Sequence, residues 1–397
     1  MSEGTVSPID RSVLSLMASV FVVFLVTGAA LPALPLHIHD GLGLGPFMVG
    51  LVSGAQFAAS LLSRLWSGAV SDRRGPKSAV ITGLILAALA GVFYLLSLLS
   101  VSRPILSVSI LLIGRALLGG AESFIMTGAQ SWCLALAGPQ HAGKMIAWIG
   151  TAMFVALALG APFGSFMFDV YGFASIGVVT FMGTIVTLAM VAVIPASKPL
   201  SQGQKAIAKV WKAVWLPGLG MAFAGVGYGT MTAFAVLLFV QRGWQPAWLS
   251  FTAFAAALMV ARVIFGSLPD RVGGARTAMI FVVIHSLGMM LIWLSPYKWL
   301  AFIGAALAGF GYALVYPGFG MEAVSRAPVE SRGLAMGVYT AFIDLALGIL
   351  APLLGLIANT SGLGLIFLIN AVLALCAVPI AARLFISGRS GATINGP

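Results

Sequence analysis

The chain has 397 residues, of which 60% are hydrophobic and only 8% are Asp, Glu, Lys or Arg. A water-soluble protein of this length exposes far more charge, so the composition excludes a soluble globular class. The net charge of +11 does not indicate a nucleic-acid-binding protein, because the positive residues lie in the loops between apolar runs. These runs are about 20 residues long, the length that crosses a bilayer as a helix.

The apolar runs predict an all-α membrane protein with 12 transmembrane helices, at 12–36, 47–70, 78–99, 105–136, 142–168, 173–195, 214–240, 247–268, 277–296, 299–324, 332–358 and 362–386. The longest polar interval lies at the midpoint of the chain. We therefore expect an N-terminal six-helix bundle (1–195), a cytoplasmic linker (196–213) and a C-terminal six-helix bundle (214–397).

The lysines and arginines of the loops predict the orientation of the helices. Alternate loops carry fifteen of them on one side and three on the other, the latter being Arg103, Arg242 and Lys298. Cytoplasmic loops are the ones enriched in Lys and Arg. The sequence therefore predicts a multi-pass protein of the bacterial inner membrane with both termini in the cytoplasm.

An internal repeat relates the two halves. Residues 63–75 read SRLWSGAVSDRRG and residues 261–273 read ARVIFGSLPDRVG, which align without a gap at an offset of 198. Arg, Gly and Asp recur at matching positions in the two segments. Six spans in each copy keep the same side inward, which predicts two parallel bundles with a substrate site between them near the midplane.

The repeated segment forms a loop that we expect to act in gating. In the first copy Asp72 can accept hydrogen bonds from the positive end of a neighbouring helix, and Gly75 permits a tight turn. The first copy consists of Gly68, Asp72, Arg73, Gly75 and Lys77, with Asp270 and Arg271 in the second. Arg64 and Arg262 recur in both copies, so we expect them to lock helices to the cytoplasmic loops.

This loop resembles the G-x-x-x-D-R-x-G-x-K/R motif of the major facilitator superfamily, and the resemblance covers the whole chain. Residues 114–119 (GRALLG) resemble the fourth-helix arginine motif of that superfamily. The segment Gly160, Ala161, Pro162, Phe163 and Gly164 resembles its fifth-helix antiporter motif. Ala161 stands where that motif has glycine, which weakens the inference of antiport. The resemblance implies conformational roles for Gly160, Pro162 and Gly164.

Residues 122–132, 138–144 and 160–164 resemble a sugar-efflux-like branch of the superfamily, the YhhS and YfcJ type. This resemblance implies export of a small solute driven by the proton gradient, with no cofactor and no metal. It does not identify the substrate. The expected partners are a small molecule, protons and the lipid bilayer, with no nucleic acid, and we expect a monomer.

Two acids lie at membrane depth and are candidates for proton coupling. Glu122 follows Arg115 by seven residues, so both face one side of a helix about 10 Å apart. Asp344 lies near the midplane of the eleventh span. Neither acid has an acidic counterpart in the other half, since Glu122 aligns near Tyr312. We therefore expect Glu122 and Asp344 to bind protons with Arg115 as their cationic partner; a buried acid that serves packing alone is the alternative.

Other polar residues divide between structure and cavity. Glu322 precedes Arg326 by one helical turn, which predicts a structural ion pair. Five uncharged side chains are cavity candidates, although some will serve as helix-to-helix hydrogen bonds instead: Gln56, Gln130, Tyr228, Tyr312 and Tyr316.

The sequence thus favours a proton-coupled transporter that exports a small organic solute, sugar-like or drug-like, by alternating access. Uptake of a sugar or carboxylate by proton symport remains open, because residues do not reveal the direction of coupling. A non-transporting membrane sensor is the alternative from another class. An enzyme is not expected, since the sequence has no phosphate loop, no nucleophile–base pair and no metal-ligand cluster.

Overall fold

The computed structural model describes residues 8–137, 142–196, 207–328 and 331–394, which form fourteen α-helices and a π-helical turn. Both chain termini, most of the predicted linker and part of the 138–144 segment lie outside these described residues. The helical runs follow from the apolar composition, because a backbone inside a bilayer must satisfy its own hydrogen bonds. Contacts between residues divide the chain into two compact units: unit 1 comprises Met1–Gly43 and Ala55–Gly203, and unit 2 comprises Leu44–Gly54 and Gln204–Pro397.

The first half of the chain contains six long helices. They are α1 (Pro8–Leu36), α2 (Pro46–Arg74), α3 (Pro76–Leu98), α4 (Pro104–Ala137), α5 (Ala142–Tyr171) and α6 (Phe173–Ala192), and the π-helical turn His37–Gly41 extends α1. Within unit 1, α3 packs on α4 and α6, and α1 packs on α5.

The second half contains eight helices. They are α7 (Ile207–Gln241), α8 (Leu249–Phe265), α9 (Leu268–Val272), α10 (Gly274–Leu294), α11 (Lys298–Tyr312), α12 (Val315–Ser325), α13 (Arg332–Ser361) and α14 (Leu363–Ile394). In unit 2, α10 packs on α11 and α14, and α7 packs on α13 and α14. The first turns of α2 belong to this unit: Phe47 N donates to Asn359 Oδ1 at 3.3 Å, and a methyl group at Gly355 would lie 2.5 Å from the carbonyl oxygen of Pro46.

The predicted twelve spans are confirmed, with local differences. Eleven of them contain helix that is long and apolar enough to cross a membrane, and the twelfth is the 17-residue α8. The predicted span 299–324 is broken between α11 and α12, where Leu314 leaves helical geometry at φ −108° and ψ 4°. Helix α7 begins at Ile207, inside the predicted linker, because Val210 and Val214 continue the buried face of the helix and are fully buried.

Among the described residues, six glycines between helices have positive φ, and four of them form two repeat-related pairs. Gly75 (φ 88°) joins α2 to α3, and Gly273 (φ 93°) joins α9 to α10 at the offset of 198. Gly172 (φ 69°) joins α5 to α6, and Gly362 (φ 85°) joins α13 to α14 at an offset of 190. Only glycine adopts this backbone region without strain. The predicted turn at Gly75 is therefore confirmed, and the repeat extends to the ends of the helices.

The glycines of the fifth-helix motif bring α5 against α1. A methyl group at Gly164 would clash with the backbone of Ala29, and one at Gly160 would lie 2.5 Å from the carbonyl oxygen of Leu25. From the other side, a methyl group at Gly28 would lie 2.8 Å from the carbonyl oxygen of Leu157. Small residues at such positions allow membrane helices to approach closely. A methyl group at Gly68, by contrast, would meet no described atom within 4 Å, so Gly68 does not mark a close helix approach in this conformation.

This difference predicts opposite effects of one substitution at two sites. Gly164→Ala should lower thermal stability, because overpacking costs about 1–3 kcal/mol and exceeds the gain of up to about 1 kcal/mol in helix propensity. Gly68→Ala should leave stability unchanged or slightly higher. The measurement is the temperature at which the purified protein loses its monodisperse peak after heating. Equal midpoints for the two variants would contradict the close packing of α1 and α5.

Candidate functional site

A polar cluster surrounds Glu122 in unit 1. Thr27 Oγ1, from α1, donates to Glu122 Oε1 at 2.7 Å. Gln56 Nε2, from α2, donates to the same oxygen at 2.7 Å. Three helices therefore converge on one carboxylate in the middle of apolar spans. Gln56 is 3% exposed, which confirms that it lies in the interior of the span rather than facing lipid.

The side chain of Arg115, on α4, is buried although it is charged. Its side chain is 2% exposed, and Nη1 donates to Tyr94 Oη on α3 at 3.4 Å. Its Nε has no hydrogen-bond partner among the described residues. Tyr94 is fully buried and lies within electrostatic range of both Arg115 and Glu122. The phenol of Tyr94 is thus the hydrogen-bond partner of the buried Arg115.

The corresponding part of unit 2 can be identified from its packing. A methyl group at Gly119 on α4 would clash with the carbonyl oxygen of Gln56 on α2, and one at Gly309 on α11 would clash with the carbonyl oxygen of Phe254 on α8. Gln56 and Phe254 are 198 residues apart, and Gly119 and Gly309 are 190 apart. The two helix crossings are therefore equivalent, and Glu122 corresponds to Tyr312.

Where unit 1 has its polar cluster, unit 2 has an aromatic one. The ring of Tyr312 stacks on Tyr228 with centroids 5.5 Å apart, and Phe254 lies 6.1 Å from each of them. His285 approaches Tyr312 at 5.5 Å and donates from Nδ1 to the carbonyl oxygen of Ala308 at 2.7 Å. The same position in the fold thus holds a carboxylate in one unit and flat aromatic faces in the other.

Asp344 occupies the interior of α13 in unit 2 and is 6% exposed. One helical turn away, Thr340 Oγ1 shares a hydrogen bond with Tyr316 Oη on α12 at 3.1 Å. Tyr339 Oη donates to the carbonyl oxygen of Tyr316 at 2.8 Å. The acid therefore lies close to a line of hydroxyl groups. Since Tyr316 and Tyr228 are half-buried, each of these two side chains retains some accessible surface.

The residues of the repeated loop lie at the ends of helices. Asp72, Arg73, Asp270 and Arg271 are exposed. Lys77 Nζ donates to the carbonyl oxygens of Ala192 at 2.7 Å and Ile194 at 2.6 Å, so it caps the C-terminal end of α6, where a cation is favourable. A carboxylate does bind a helix N-terminus in unit 2, but it is Glu322 rather than Asp270: Ala275 N donates to Glu322 Oε1 at 2.9 Å.

The predicted ion pair between Glu322 and Arg326 is confirmed. Arg326 Nη2 also donates to the carbonyl oxygen of Leu384 at 3.0 Å and to Ser387 Oγ at 3.1 Å. Glu322 and Arg326 therefore join α10, α12 and α14. Such a network indicates a structural acid, in contrast to Glu122.

Arg262 joins α8 to the break between α11 and α12, and its expected lock on a cytoplasmic loop stays a prediction. Its Nε donates to the carbonyl oxygen of Ala313 at 3.1 Å, at the break between α11 and α12. A carbonyl freed at a helix end needs a donor, and a buried guanidinium supplies one. Arg64, its repeat partner, is half-buried, and Gln130 is exposed near the end of α4.

Sequence reasoning missed Thr27, Tyr94 and His285. A threonine in an apolar span gives only a weak signal, because Thr hydroxyls commonly bond to their own helix; Thr27 also donates to the carbonyl oxygen of Val23 at 2.9 Å. Tyr94 carries no signal, since its partner Arg115 lies on another helix. The alignment of Glu122 with Tyr312 could have revealed the aromatic cluster.

Comparisons with known proteins identify the family and the fold of the chain. The family model described as Major Facilitator Superfamily matches residues 16–321 and, a second time, residues 247–395. The uncharacterized MFS-type transporter STM4428 of Salmonella typhimurium is 37% identical over 358 residues, 90% of this chain and 92% of that protein. The uncharacterized MFS-type transporter YhhS of Escherichia coli K12 is 34% identical over 377 residues, 95% of this chain and 93% of that protein. The inward-open structure of the xylose transporter XylE from E. coli shares the fold at a TM-score of 0.75 and 14% identity, over 94% of this chain and 95% of that one.

The geometry predicts different consequences when the two acids are made neutral. Glu322→Gln removes the ion pair and the charge at the α10 N-terminus, so it should lower stability by about 1–2 kcal/mol. Glu122→Gln should have little effect, because an amide oxygen still accepts from Thr27 and Gln56. Thermal midpoints of both purified variants check this. A loss in Glu122→Gln as large as in Glu322→Gln would make Glu122 a packing residue.

Proposed function

Because the chain belongs to the Major Facilitator Superfamily, and is therefore a multi-pass membrane transporter rather than an enzyme, we propose that it exports a small organic solute in exchange for protons. Glu122 and Asp344 bind the protons, and Arg115 is the cation that acts on them. Transport proceeds by alternating access, with the proton gradient as the source of energy. Gln56, Gln130 and the tyrosines 228, 312 and 316 line the path of the solute.

One observation carries this proposal: Glu122 is held by Thr27 and Gln56 inside the bundle, while the equivalent place in unit 2 is aromatic. A carboxylate required by the scaffold would recur in both copies of a duplicated scaffold. A charge at membrane depth is unfavourable by several kcal/mol unless it is paired or hydrated. An acid kept in one copy only is therefore best explained by the chemistry that it performs.

The donors around Glu122 support a reversible proton site. Two hydrogen bonds to one oxygen stabilise the carboxylate form, whereas the apolar surroundings favour the neutral form. Opposed effects of this kind keep both forms accessible, as a transport cycle requires. In the proposed cycle, Glu122 and Asp344 take protons from outside and release them inward as the solute leaves.

A sugar-like or drug-like solute fits the side chains of unit 2. Stacked aromatic faces such as Tyr228 on Tyr312 suit flat or ring-shaped solutes with apolar faces, and the tyrosine hydroxyls can donate to polar substituents. The fold neighbour XylE is named a xylose transporter, which supports a sugar for that protein and suggests one here. Uptake by proton symport uses the same residues in the reverse direction and is the second candidate.

For location, we propose the inner membrane of a bacterium, with the end of unit 1 that carries Gly75 facing the cytoplasm, and a monomeric protein. The loops on that side carry most of the lysines and arginines. A green fluorescent protein fused after Pro397 should then fluoresce, and alkaline phosphatase fused after Leu99, on the opposite side, should be active. The reverse pattern of the two reporters would overturn the orientation.

The transport proposal is tested in proteoliposomes that contain a trapped pH-sensitive dye. With a pH gradient imposed, a panel of sugars, drugs and organic acids is added and internal pH is followed. At least one compound should move protons, and Glu122→Gln or Asp344→Asn should reduce that signal to the level of empty liposomes. Asp169→Asn, which neutralises an exposed acid at the end of α5, is the matched control and should transport normally.

Two results would contradict the proposal. Binding of a compound without proton movement would indicate a uniporter. Full proton coupling in the double variant Glu122→Gln/Asp344→Asn would remove both acids from the mechanism. The direction of proton movement relative to solute separates export by exchange from uptake by symport.

A further inference from the structure

Helix α2 carries a line of buried polar side chains, of which the proposed function uses only Gln56. Spaced three or four residues apart, they share one face of the helix and run for about 22 Å along it. Each is at most 9% exposed. We call this set the polar stripe; it consists of Gln56, Ser60, Ser63, Ser67 and Ser71.

Two members of the polar stripe, Gln56 and Ser67, contact α4. At the inner end of the stripe Gln56 donates to Glu122. One turn before its other end, Ser67 Oγ lies 3.3 Å from Ser123 Oγ and 3.2 Å from Thr127 Oγ1, both on α4. Thr127 is half-buried and Gln130, one turn further along α4, is exposed. Polar groups therefore continue from the carboxyl group of Glu122 to the Gly75 end of unit 1, where α2 ends and α3 begins.

The equivalent surfaces of unit 2 are apolar. At the offset of 198 the counterparts of the polar stripe on the α8–α9 segment are Phe254, Leu258, Ala261, Phe265 and Pro269. At the offset of 190 the counterparts of Glu122, Ser123, Thr127 and Gln130 on α11 and α12 are Tyr312, Ala313, Pro317 and Gly320. Apart from the hydroxyl group of Tyr312, the same helix crossing is thus built without polar side chains at these positions in unit 2. Packing of the scaffold does not require the polar stripe.

Close packing does not explain the serines either. Alanine is as small as serine and has the highest helix propensity, yet Ala does not occur at any of these positions. Ser63 Oγ and Ser67 Oγ donate to carbonyl oxygens one turn earlier, at 3.0 and 3.1 Å, which satisfies each hydroxyl proton. The lone pairs of Ser63 Oγ then remain available to accept hydrogen bonds, and Ser67 Oγ accepts from Ser123 and Thr127.

An independent observation indicates a bound water molecule at the Gln56 end of the polar stripe. Gln56 Oε1 is buried and finds no donor among the described residues, while its amide nitrogen is used by Glu122. A buried carbonyl oxygen without a donor is unfavourable. Water is the donor that fits, because the neighbouring hydroxyl groups supply the two to four polar partners that a buried water needs.

We propose that the polar stripe, with Ser123 and Thr127, is a water-bridged proton path that connects Glu122 to the Gly75 end of unit 1. This inference rests on the proposed function of Glu122. The O–H bond of the Glu122 carboxyl group breaks and a new O–H bond forms on a bridging water. Each water or hydroxyl group that takes a proton gives up its own to the next oxygen. One proton leaves at the Gly75 end, and the sum of the steps is that single transfer.

The path operates whether or not solute is bound, so its test needs no substrate. The probe is deuterium. The purified full-length protein in lipid is transferred from H₂O to D₂O at an acidity where Glu122 is protonated, and the carboxyl band is followed by infrared spectroscopy. The band of Glu122 is identified by its loss in Glu122→Gln, and its exchange rate is read from its isotope shift.

The variant is Ser60→Ala/Ser63→Ala/Ser67→Ala, which removes three hydroxyl groups and leaves Glu122 and Gln56 in place. Its carboxyl exchange should be slower by about tenfold or more, because a lost relay group raises the barrier to transfer. Ser53→Ala is the matched control. Ser53 is a buried serine on α2, 6% exposed, three residues from Gln56 on the side away from Ser60, and its removal should leave the rate unchanged.

Each outcome decides between the two proposals. A Glu122 band that exchanges at the wild-type rate in the triple variant overturns the proton path and leaves the proton site intact. Slow exchange in both the triple variant and Ser53→Ala also overturns it. The loss of a buried hydroxyl group outside the path would then slow exchange as much as the loss of the path itself. The absence of a Glu122 band at any acidity removes Glu122 from the proposed function, and the path with it. A monodisperse elution peak of the triple variant establishes that it is folded.

Discussion

The fold depends on one constraint: in a span surrounded by lipid, every polar group must find its partner inside the protein. The helices meet this constraint for the backbone, and breaks meet it with side chains, as when Arg262 donates to Ala313 at the end of α11. Against this background a side-chain carboxylate is conspicuous. Glu122 receives two donors from neighbouring helices, and supplying them shapes the contact of α4 with α1 and α2. Thr27 and Gln56 meet that requirement from α1 and α2.

Duplication makes the two units an internal control for each other. Gly119 brings α4 against α2, and Gly309 brings α11 against α8 in the equivalent way. The turns at Gly75 and Gly273 have nearly the same φ. What the copies share is thus geometry. What they do not share is chemistry: a carboxylate with amide and hydroxyl partners in one, stacked aromatic rings in the other. Differences at equivalent positions are therefore a better guide to function than the charged residues that both copies retain.

Much of the fold could be predicted from the sequence because the strongest signals in it are long and repeated. Twelve apolar runs and a gap-free repeat of thirteen residues leave few alternatives. The local errors have local causes. The break at Leu314 has no proline or polar residue at that position, and its stabilising donor, Arg262, is more than fifty residues away in the chain. The start of α7 at Ile207 was not predicted, because Lys209 and Lys212 are typical of a polar linker. Val210 and Val214, between and after them, are nevertheless buried. Side-chain partners such as Tyr94 for Arg115 depend on which helices are neighbours, which periodicity within one helix does not encode.

The division of chemistry between the units has a physical rationale. A proton site must exchange with water, so it needs polar atoms along its approach, and every such atom weakens the apolar packing around it. Aromatic faces that bind a solute need the opposite, a surface from which water is readily displaced. Placing both properties in one bundle would make each interfere with the other.

Two copies of a single scaffold remove this conflict: one copy tolerates the buried serines of α2, and the other keeps Phe254 and Leu258 at the equivalent positions. Asp344, in the aromatic unit, lies on α13 beside Thr340 and Tyr316 rather than on the helix that corresponds to α4. The acid of unit 2 thus lies on a different helix, α13, from the aromatic residue Tyr312 on α11.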